Sequence, residues 1–473
     1  MIKKIFAVTV LAGMAISGLH AENIKGTVKD TEGNGIAGVV VSDGLNTTVT
    51  DAKGRWKMDA DQDSRFVFIS TPAGYISSTL KGQTIFYKEI KDEVKKYEFI
   101  VQKNPQDDTN HNLIVIADPQ ISDRDELPEL EKHSDDIAEY VKGMDGDYTI
   151  GLCLGDIVGW DHSIYPEYNR IMKKAGFEYR YVIGNHDMTN YGRSHETSMK
   201  NYEDIYGPAW YSFNVGDIHY IVLNNNFFIG RDWFYIGYID ERQLRWLEED
   251  LSYVPEGSNV IVSMHIPTTL DKSDRDAFQR GVMLDNLCNK PALYKMLEPY
   301  KTIILSGHMH TPDYEEIAPN ITEINIAGLC GAWWCGSVCI DGSPAGFKHF
   351  DMDGENISWI YKGCGHPLEY QMKVYVDHPS YPGEVVANIW DYDPAWKVEY
   401  FEDGKRIGEM ERFKDTDPLA KELYKDPSSL KREWVHSSPT ENMFRAKFSP
   451  DAKTLEVRAT DRFGRVYTHK TER

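Results

Sequence analysis

Leu113-Ile114-Val115-Ile116-Ala117-Asp118-Pro119-Gln120 is a run of apolar residues that stops abruptly at an acid, a proline and an amide. So short a run, rich in β-branched residues and without polar alternation, reads as a strand buried on both faces of its sheet. In sheets of that kind ligands bind beyond the carboxyl ends of the strands, so the residues after the run carry the information. Four further stretches repeat the pattern. Ile150-Gly151-Leu152-Cys153-Leu154 leads to Gly155-Asp156, and Tyr181-Val182-Ile183 to Gly184-Asn185-His186-Asp187. Val260-Ile261-Val262-Ser263-Met264 leads to His265, and Ile303-Ile304-Leu305-Ser306 to Gly307-His308-Met309-His310. A single Asp or Asn after a strand usually starts a turn or caps a helix. Five strand ends carrying carboxylate, amide and imidazole groups form instead a convergent set of metal donors. Glycine before Asp156, Asn185 and His308 fits tight turns that bring backbone close to a ligand.

Outward from these runs, residues 106–340 alternate apolar stretches with longer polar or amphipathic ones, the mark of α/β layering. Gln243 to Leu251 places Leu244, Leu247 and Leu251 on one helical face, as expected of a surface helix lying on a sheet. Residues 22–105 are different: short runs such as Val39-Val40-Val41 lie between the turn signals Gly33-Asn34-Gly35, Asp43-Gly44 and Lys53-Gly54. That spacing predicts a small antiparallel β-sandwich. Residues 341–473 return to short segments and turns, and Thr454 to Ala459 alternates as a half-buried strand does, which predicts a second sandwich.

With 473 residues the chain exceeds what one hydrophobic core usually supports. A hydrophobic share of 41% beside 27% charged residues is that of a folded soluble protein. The net charge of -22 argues against a long interface with a nucleic-acid duplex, which needs clustered Lys and Arg. Residues 1–21 read as an export signal: Lys3 and Lys4, an apolar run from Ile5 to Ile16, and Leu19-His20-Ala21 before the cleavage point. The run is shorter than the roughly 20 residues of a spanning helix, so no membrane span is expected once it is removed. A periplasmic or secreted protein is the expectation. Six cysteines, at 153, 288, 330, 335, 339 and 364, match no paired CxxC zinc pattern; structural or disulfide roles outweigh metal binding, and their connectivity is not readable.

The ordered set Asp118-Pro119-Gln120, Gly155-Asp156, Gly184-Asn185-His186-Asp187, His265 and Gly307-His308-Met309-His310 closely resembles the calcineurin-like metallophosphoesterases. The resemblance implies a four-layer α/β (α+β) core, a β-sandwich flanked by helices, with two metal ions at the strand ends. Carried over by position, it assigns Asp118, Gln120 and His310 to one metal, Asn185, His265 and His308 to the other, and Asp156 as the bridge. The donors suit Mn, Fe, Zn or Mg. The family motif usually has His where Gln120 stands; the amide form also occurs in a branch with protein and small-molecule phosphatases. Gly26 to Gly44 resembles carboxypeptidase-regulatory-like and transthyretin-like modules, and Asp341 to Phe347 with Ile360 to Gly363 resembles the C-terminal module of exported bacterial phosphoesterases. The three-part exported bacterial type is thereby implied.

Its chemistry would be hydrolysis of a small phosphate ester, with metals that acidify a bridging water and polarise the phosphoryl group. His186 is the expected proton donor to the leaving oxygen, and Asp187 its orienting partner. His162, His195, Trp333 and Trp334 are candidates for the substrate pocket, together with Trp160 and the aromatic stretch Trp233-Phe234-Tyr235. A phosphomonoester is the preferred substrate and a phosphodiester the alternative on the same site. A surface binding protein with a degenerate site is the alternative from another class. Oligomeric state is not readable.

Overall fold

The computed structural model describes residues 22–473 except 81–82, 145, 190, 233 and 270–279. The export signal and Trp233 therefore lie outside the described residues.

The five apolar runs fall in two facing sheets. In the first, strand Asn110–Ile116 lies between Tyr148–Cys153, its parallel neighbour, and Gly346–Asp353, which pairs antiparallel; Glu178–Tyr181 and Asn356–Gly363 complete the edges. In the second, Ile218–Val222, Asn259–Ser263, Lys301–Ser306 and Ile321–Asn325 run parallel, with Tyr211–Val215 and Asp313–Ala318 antiparallel at the edges. Alternation along each strand builds the layers. Leu113 and Val115 face the core shared with the second sheet, beside Val260, Val262 and Ile304. Ile114 and Ile116 point the other way, onto Leu130 and Ile137 of helix Leu127–Lys142 and onto Tyr168 and Ile171 of helix Tyr165–Met172. Helices Glu241–Leu251 and Lys290–Leu297 cover the second sheet through Trp246, Leu247, Leu251, Leu293 and Leu297. The result is the expected helix, sheet, sheet, helix core.

Helix Glu241–Leu251 starts at Asp240, whose side chain accepts a hydrogen bond from the Gln243 amide at 2.8 Å. Its buried face is centred on Trp246 and Leu247, so Leu244 is only half-buried. The large indole takes the place nearest the sheet.

Residues 22–104 form a sandwich of a five-stranded and a four-stranded sheet. It is not wholly antiparallel: Glu22–Asp30 pairs parallel with Lys96–Lys103, because the chain crosses the whole module before returning beside its first strand. The sandwich covers the free edge of Tyr211–Val215, where the Asn214 amide donates to the Thr71 carbonyl at 2.8 Å. The C-terminal region is a sandwich of two four-stranded sheets. Thr454–Thr460 shows the alternating burial expected of it.

Strands Gly346–Asp353 and Asn356–Gly363 stand in the first catalytic sheet, although the sequence reading placed everything after residue 340 in the C-terminal module. Hydrogen bonding of Gly346–Asp353 to Asn110–Ile116 decides their place, and the polar turn between them resembles that of a sandwich hairpin. All six cysteines are unpaired. Among the described residues no helix is long and apolar enough to cross a membrane.

Candidate metal centre

The strand ends converge because the turns after them are forced into unusual backbone. Asp118, Gln120, Asp156, His308 and His310 all have positive φ, between 42° and 71°. Such angles are uncommon for residues with a Cβ, and they cluster where surrounding structure holds a site against local strain. Trp333 and Trp334 share the feature. The three glycines singled out in the sequence have a steric reason. A Cβ on Gly155 would stand 2.7 Å from His265 Nδ1, and one on Gly307 would stand 2.7 Å from Asp118 Oδ2. A Cβ on Gly184 would collide with the backbone and carboxylate of Asp156.

Around Asp156 the side chains nearly touch. Its Oδ1 lies 3.4 Å from His265 Nε2, and Gln120 Nε2 donates to its Oδ2 at 3.2 Å. His265 Nε2 is 3.0 Å from Asn185 Oδ1 and 3.2 Å from His308 Nδ1. His310 Nε2 is 3.6 Å from Asp118 Oδ1, and the His308 amide donates to Asp118 Oδ2 at 2.8 Å. All seven predicted ligands thus belong to one buried or half-buried cluster. Outer atoms orient the rings: His265 Nδ1 meets the Leu154 carbonyl at 2.7 Å and His310 Nδ1 the Gly331 carbonyl at 3.2 Å. Each contact leaves the Nε2 atom turned inward, the usual arrangement behind a metal-ligating histidine.

The donor set fits metal ions. Asp118 Oδ1 and Gln120 Oε1 are buried without a hydrogen-bond partner, a costly state for an acceptor unless a cation meets it. Donor atoms of Asp156, His265 and His308 all lie within 4.8 Å of one another. The electrostatics agree. Burial, reinforced by the charge of Asp156, pushes the Asp118 carboxyl up to about 8. Asp156 is also penalised by burial, but His265 and His186 hold it below the usual carboxylate range. Buried carboxylates side by side call for fixed positive charge.

His186 sits at the rim. Its backbone amide donates to Asp156 Oδ1 at 2.8 Å, and its Nε2 is 4.0 Å from Asp156 Oδ2. Asp187 does not orient that ring. Its carboxylate is buried and accepts from the amides of Gly184 at 2.8 Å and Ile157 at 3.2 Å, and from the Tyr165 hydroxyl at 2.9 Å. Three donors on the inner side of the turn claim it, so it shapes the loop that carries Asn185.

His162 supports the same loop from outside, with Nε2 2.9 Å from the His186 carbonyl. His195 is buried among contacts of its own: its ring stacks on Phe227 at 4.6 Å, its Nδ1 accepts from the Phe228 amide at 3.3 Å, and its Nε2 lies 3.5 Å from Asp240. Helix His195–Ser198 packs that face onto the neighbouring hairpin. Trp333 lies flat on His310, ring centres 4.0 Å apart, whereas Trp334 donates its Nε1–H to the Pro119 carbonyl at 3.0 Å. Trp160 packs on His186 at 4.2 Å.

Sequence reasoning missed a sixth strand end. Asn224-Asn225-Asn226 follows Ile221-Val222-Leu223 and is wholly buried. Asn226 donates to the Ile183 carbonyl at 2.8 Å, and Asn225 accepts from the Ile266 amide at 3.0 Å, so the pair braces the loops of Asn185 and His265. The signal was there: an apolar run followed by amides, the same pattern as the other five.

Three family models match in succession: the N-terminal region of calcineurin-like phosphoesterase at residues 22–104, calcineurin-like phosphoesterase itself at 111–312, and its C-terminal region at 323–467. The chain is a calcineurin-like phosphoesterase. This phosphoesterase is 28% identical over 131 residues to the human serine/threonine-protein phosphatase CPPED1, a match that spans 27% of the chain and 40% of the human protein. Its fold is similar to that of a dimetal phosphatase from Danio rerio, with 15% identity, TM-score 0.38, and coverage of 54% of this chain and 96% of the other. A purple acid phosphatase from yellow lupin seeds is similar over 69% of this chain and 67% of its own, with 13% identity and TM-score 0.40. Family membership makes the chain a phosphoester hydrolase of a class that uses two metal ions.

Proposed function

We propose that this phosphoesterase is an exported phosphatase that hydrolyses a small phosphomonoester at a two-metal centre. The observation that carries the reading is the convergence of seven donors with two buried, unpartnered oxygens among them, Asp118 Oδ1 and Gln120 Oε1. In this reading Asp118, Gln120 and His310 would hold one ion and Asn185, His265 and His308 the other, with Asp156 placed to serve both. Bound ions would supply Lewis acidity toward the phosphoryl oxygens and acidify the attacking water. Gln120 contributes a neutral oxygen in place of imidazole, which favours Mn or Mg over Zn on that side; Fe also suits the set.

The chain's own groups do the rest. Asp156 holds the backbone of His186 through the 2.8 Å bond to its amide, and His162 holds it through the carbonyl. His186 is thereby fixed at the rim with its ring toward Asp156. Burial holds its imidazole below the ordinary range, while the Asp156 carboxylate beside it favours the protonated form that an acid needs. We assign it the proton delivered to the leaving oxygen, which suits a hydroxyl leaving group of high pKa. Export rests on Lys3, Lys4 and the apolar run Ile5 to Ile16.

Steady-state hydrolysis by the metal-loaded full chain tests the substrate class. The expected result is release of the phenol from a monoaryl phosphate faster than from a bis(aryl) phosphate. Turnover of the diester alone would overturn the monoester assignment. N-terminal sequencing of protein recovered outside the cytoplasm should begin at Glu22; a start at Met1 would contradict export.

A further inference from the structure

Beside the catalytic cluster stand aromatic side chains from loops and from the C-terminal region. Trp160 and Trp434 are the two tryptophans among the described residues that stand more than half exposed, 54% and 57%. Single exposed apolar residues are ordinary, but neither of these stands alone. Trp160 packs on His186, and Trp434 packs edge-on at 4.6 Å against Trp333, which itself lies flat on His310 at 4.0 Å. Trp434 belongs to the C-terminal region, more than a hundred residues after the last metal motif.

The segment that carries it is firmly seated. Arg432 donates through Nη1 to the Trp333 carbonyl at 2.5 Å and through Nη2 to Glu126 Oε1 at 2.7 Å. Glu126 is buried, and its other oxygen accepts from the Ser122 amide at 2.8 Å, just beyond the Asp118-Pro119-Gln120 turn. On the far side of Trp434, Val435 is buried with Ala332, Val338 and Tyr424 in a small core shared by the C-terminal region and the tryptophan loop. A large indole more than half exposed, flanked by these anchors and one ring removed from His310, is a platform for a flat apolar group.

We infer that Trp434 is a substrate-binding residue, and that the C-terminal region completes the active site by offering its indole to a planar aromatic ring in the organic part of the phosphate ester. The inference rests on the phosphomonoesterase reading and adds the class of that organic part: aromatic rather than aliphatic. An aryl ester and a nucleotide base share that chemistry. Trp333 separates the new platform from His310, so the ring lies beyond the phosphoryl group and not on it.

Steady-state kinetics of the metal-loaded full chain, with phenyl phosphate and ethyl phosphate, test the inference. In wild type the KM for phenyl phosphate is expected to be the lower. Trp434→Ala should raise the ratio of the phenyl to the ethyl KM by about tenfold, the size of one aromatic contact, with metal content equal to wild type. Trp434→Phe should restore most of the preference and Trp434→Leu, which keeps apolar volume without a π face, should not. Inhibition by 5′-nucleoside phosphonates against phenylphosphonate separates the two sources of the ring. A ratio that stays at the wild-type value in Trp434→Ala and Trp434→Leu overturns the inference and leaves the phosphatase reading intact. Wild-type protein that holds its metals and hydrolyses neither ester overturns both.

Discussion

His186 and Asp187 are neighbours in sequence and have different work. His186 stands beside Asp156 at the rim, whereas Asp187 is turned inward onto two backbone amides and a tyrosine hydroxyl. The pair should therefore separate on mutation. His186→Ala is expected to keep its metals and lose about 10²- to 10⁴-fold in kcat, the usual worth of a positioned acid; metal analysis beside kinetics checks it, and normal turnover would remove the assigned role. Asp187→Ala strands buried donors, so it should lower stability by about 3 kcal/mol, seen in chemical denaturation. At equal metal content its kcat should stay far above that of His186→Ala; an equal kcat loss would restore the acid–orienter pairing. Sequence alone could not tell these two apart, because both a cap and a catalytic partner use an Asp after His. The clustering of the seven side chains was legible for the opposite reason: the same local grammar recurred at five strand ends.

Leu113 to Ala117 announced a strand covered on both faces, and its alternate residues do enter two different cores. Gly346–Asp353 announced nothing of the kind, since its pairing partner lies more than two hundred residues earlier and register across that distance leaves no local mark. That added strand brings a half-buried histidine to the sheet. His349 Nε2 is 2.8 Å from Asn112 Oδ1 and its Nδ1 is 2.9 Å from the Tyr140 hydroxyl. On the adjoining strand His111 Nε2 is 2.6 Å from the Tyr220 hydroxyl. Burial brings both imidazoles down to about 4. Between pH 6.5 and 4 the unfolded chain takes up protons that these folded-state rings refuse, so stability falls as the pH falls through that window. Above it their contribution is complete and flat. His349→Gln should therefore reduce the dependence of Tm on pH between 6.5 and 5, measured by calorimetry on wild type and variant; identical slopes would mean that His349 is charged in the folded sheet.

At the scale of the whole molecule, the catalytic core is clasped from both sides. The N-terminal sandwich caps an open sheet edge, and the C-terminal sandwich is joined through Lys348 and Asp391, a nearly buried ion pair at 2.6 Å. Removing one partner leaves the other charge without compensation, so Asp391→Ala is expected to cost about 3–5 kcal/mol; the double change Lys348→Met with Asp391→Leu should recover much of that loss in urea denaturation. A loss below about 1 kcal/mol for the single variant would mean that the pair is hydrated. Domain character was readable from turn spacing, whereas the contribution of Arg432 and Trp434 to the catalytic rim was not. Long-range packing alone brings them there.

All three scales meet in the metal centre. Metal content of the full chain after loading with Mn, Fe or Zn and removal of free ion, measured by elemental analysis for wild type and Asp156→Ala, tests it most directly. Two ions per wild-type chain, and loss of both metal and phosphate release in a folded Asp156→Ala protein, is the predicted result. A wild-type chain that retains no ion with any of these metals, or an Asp156→Ala variant that keeps both, would contradict the account.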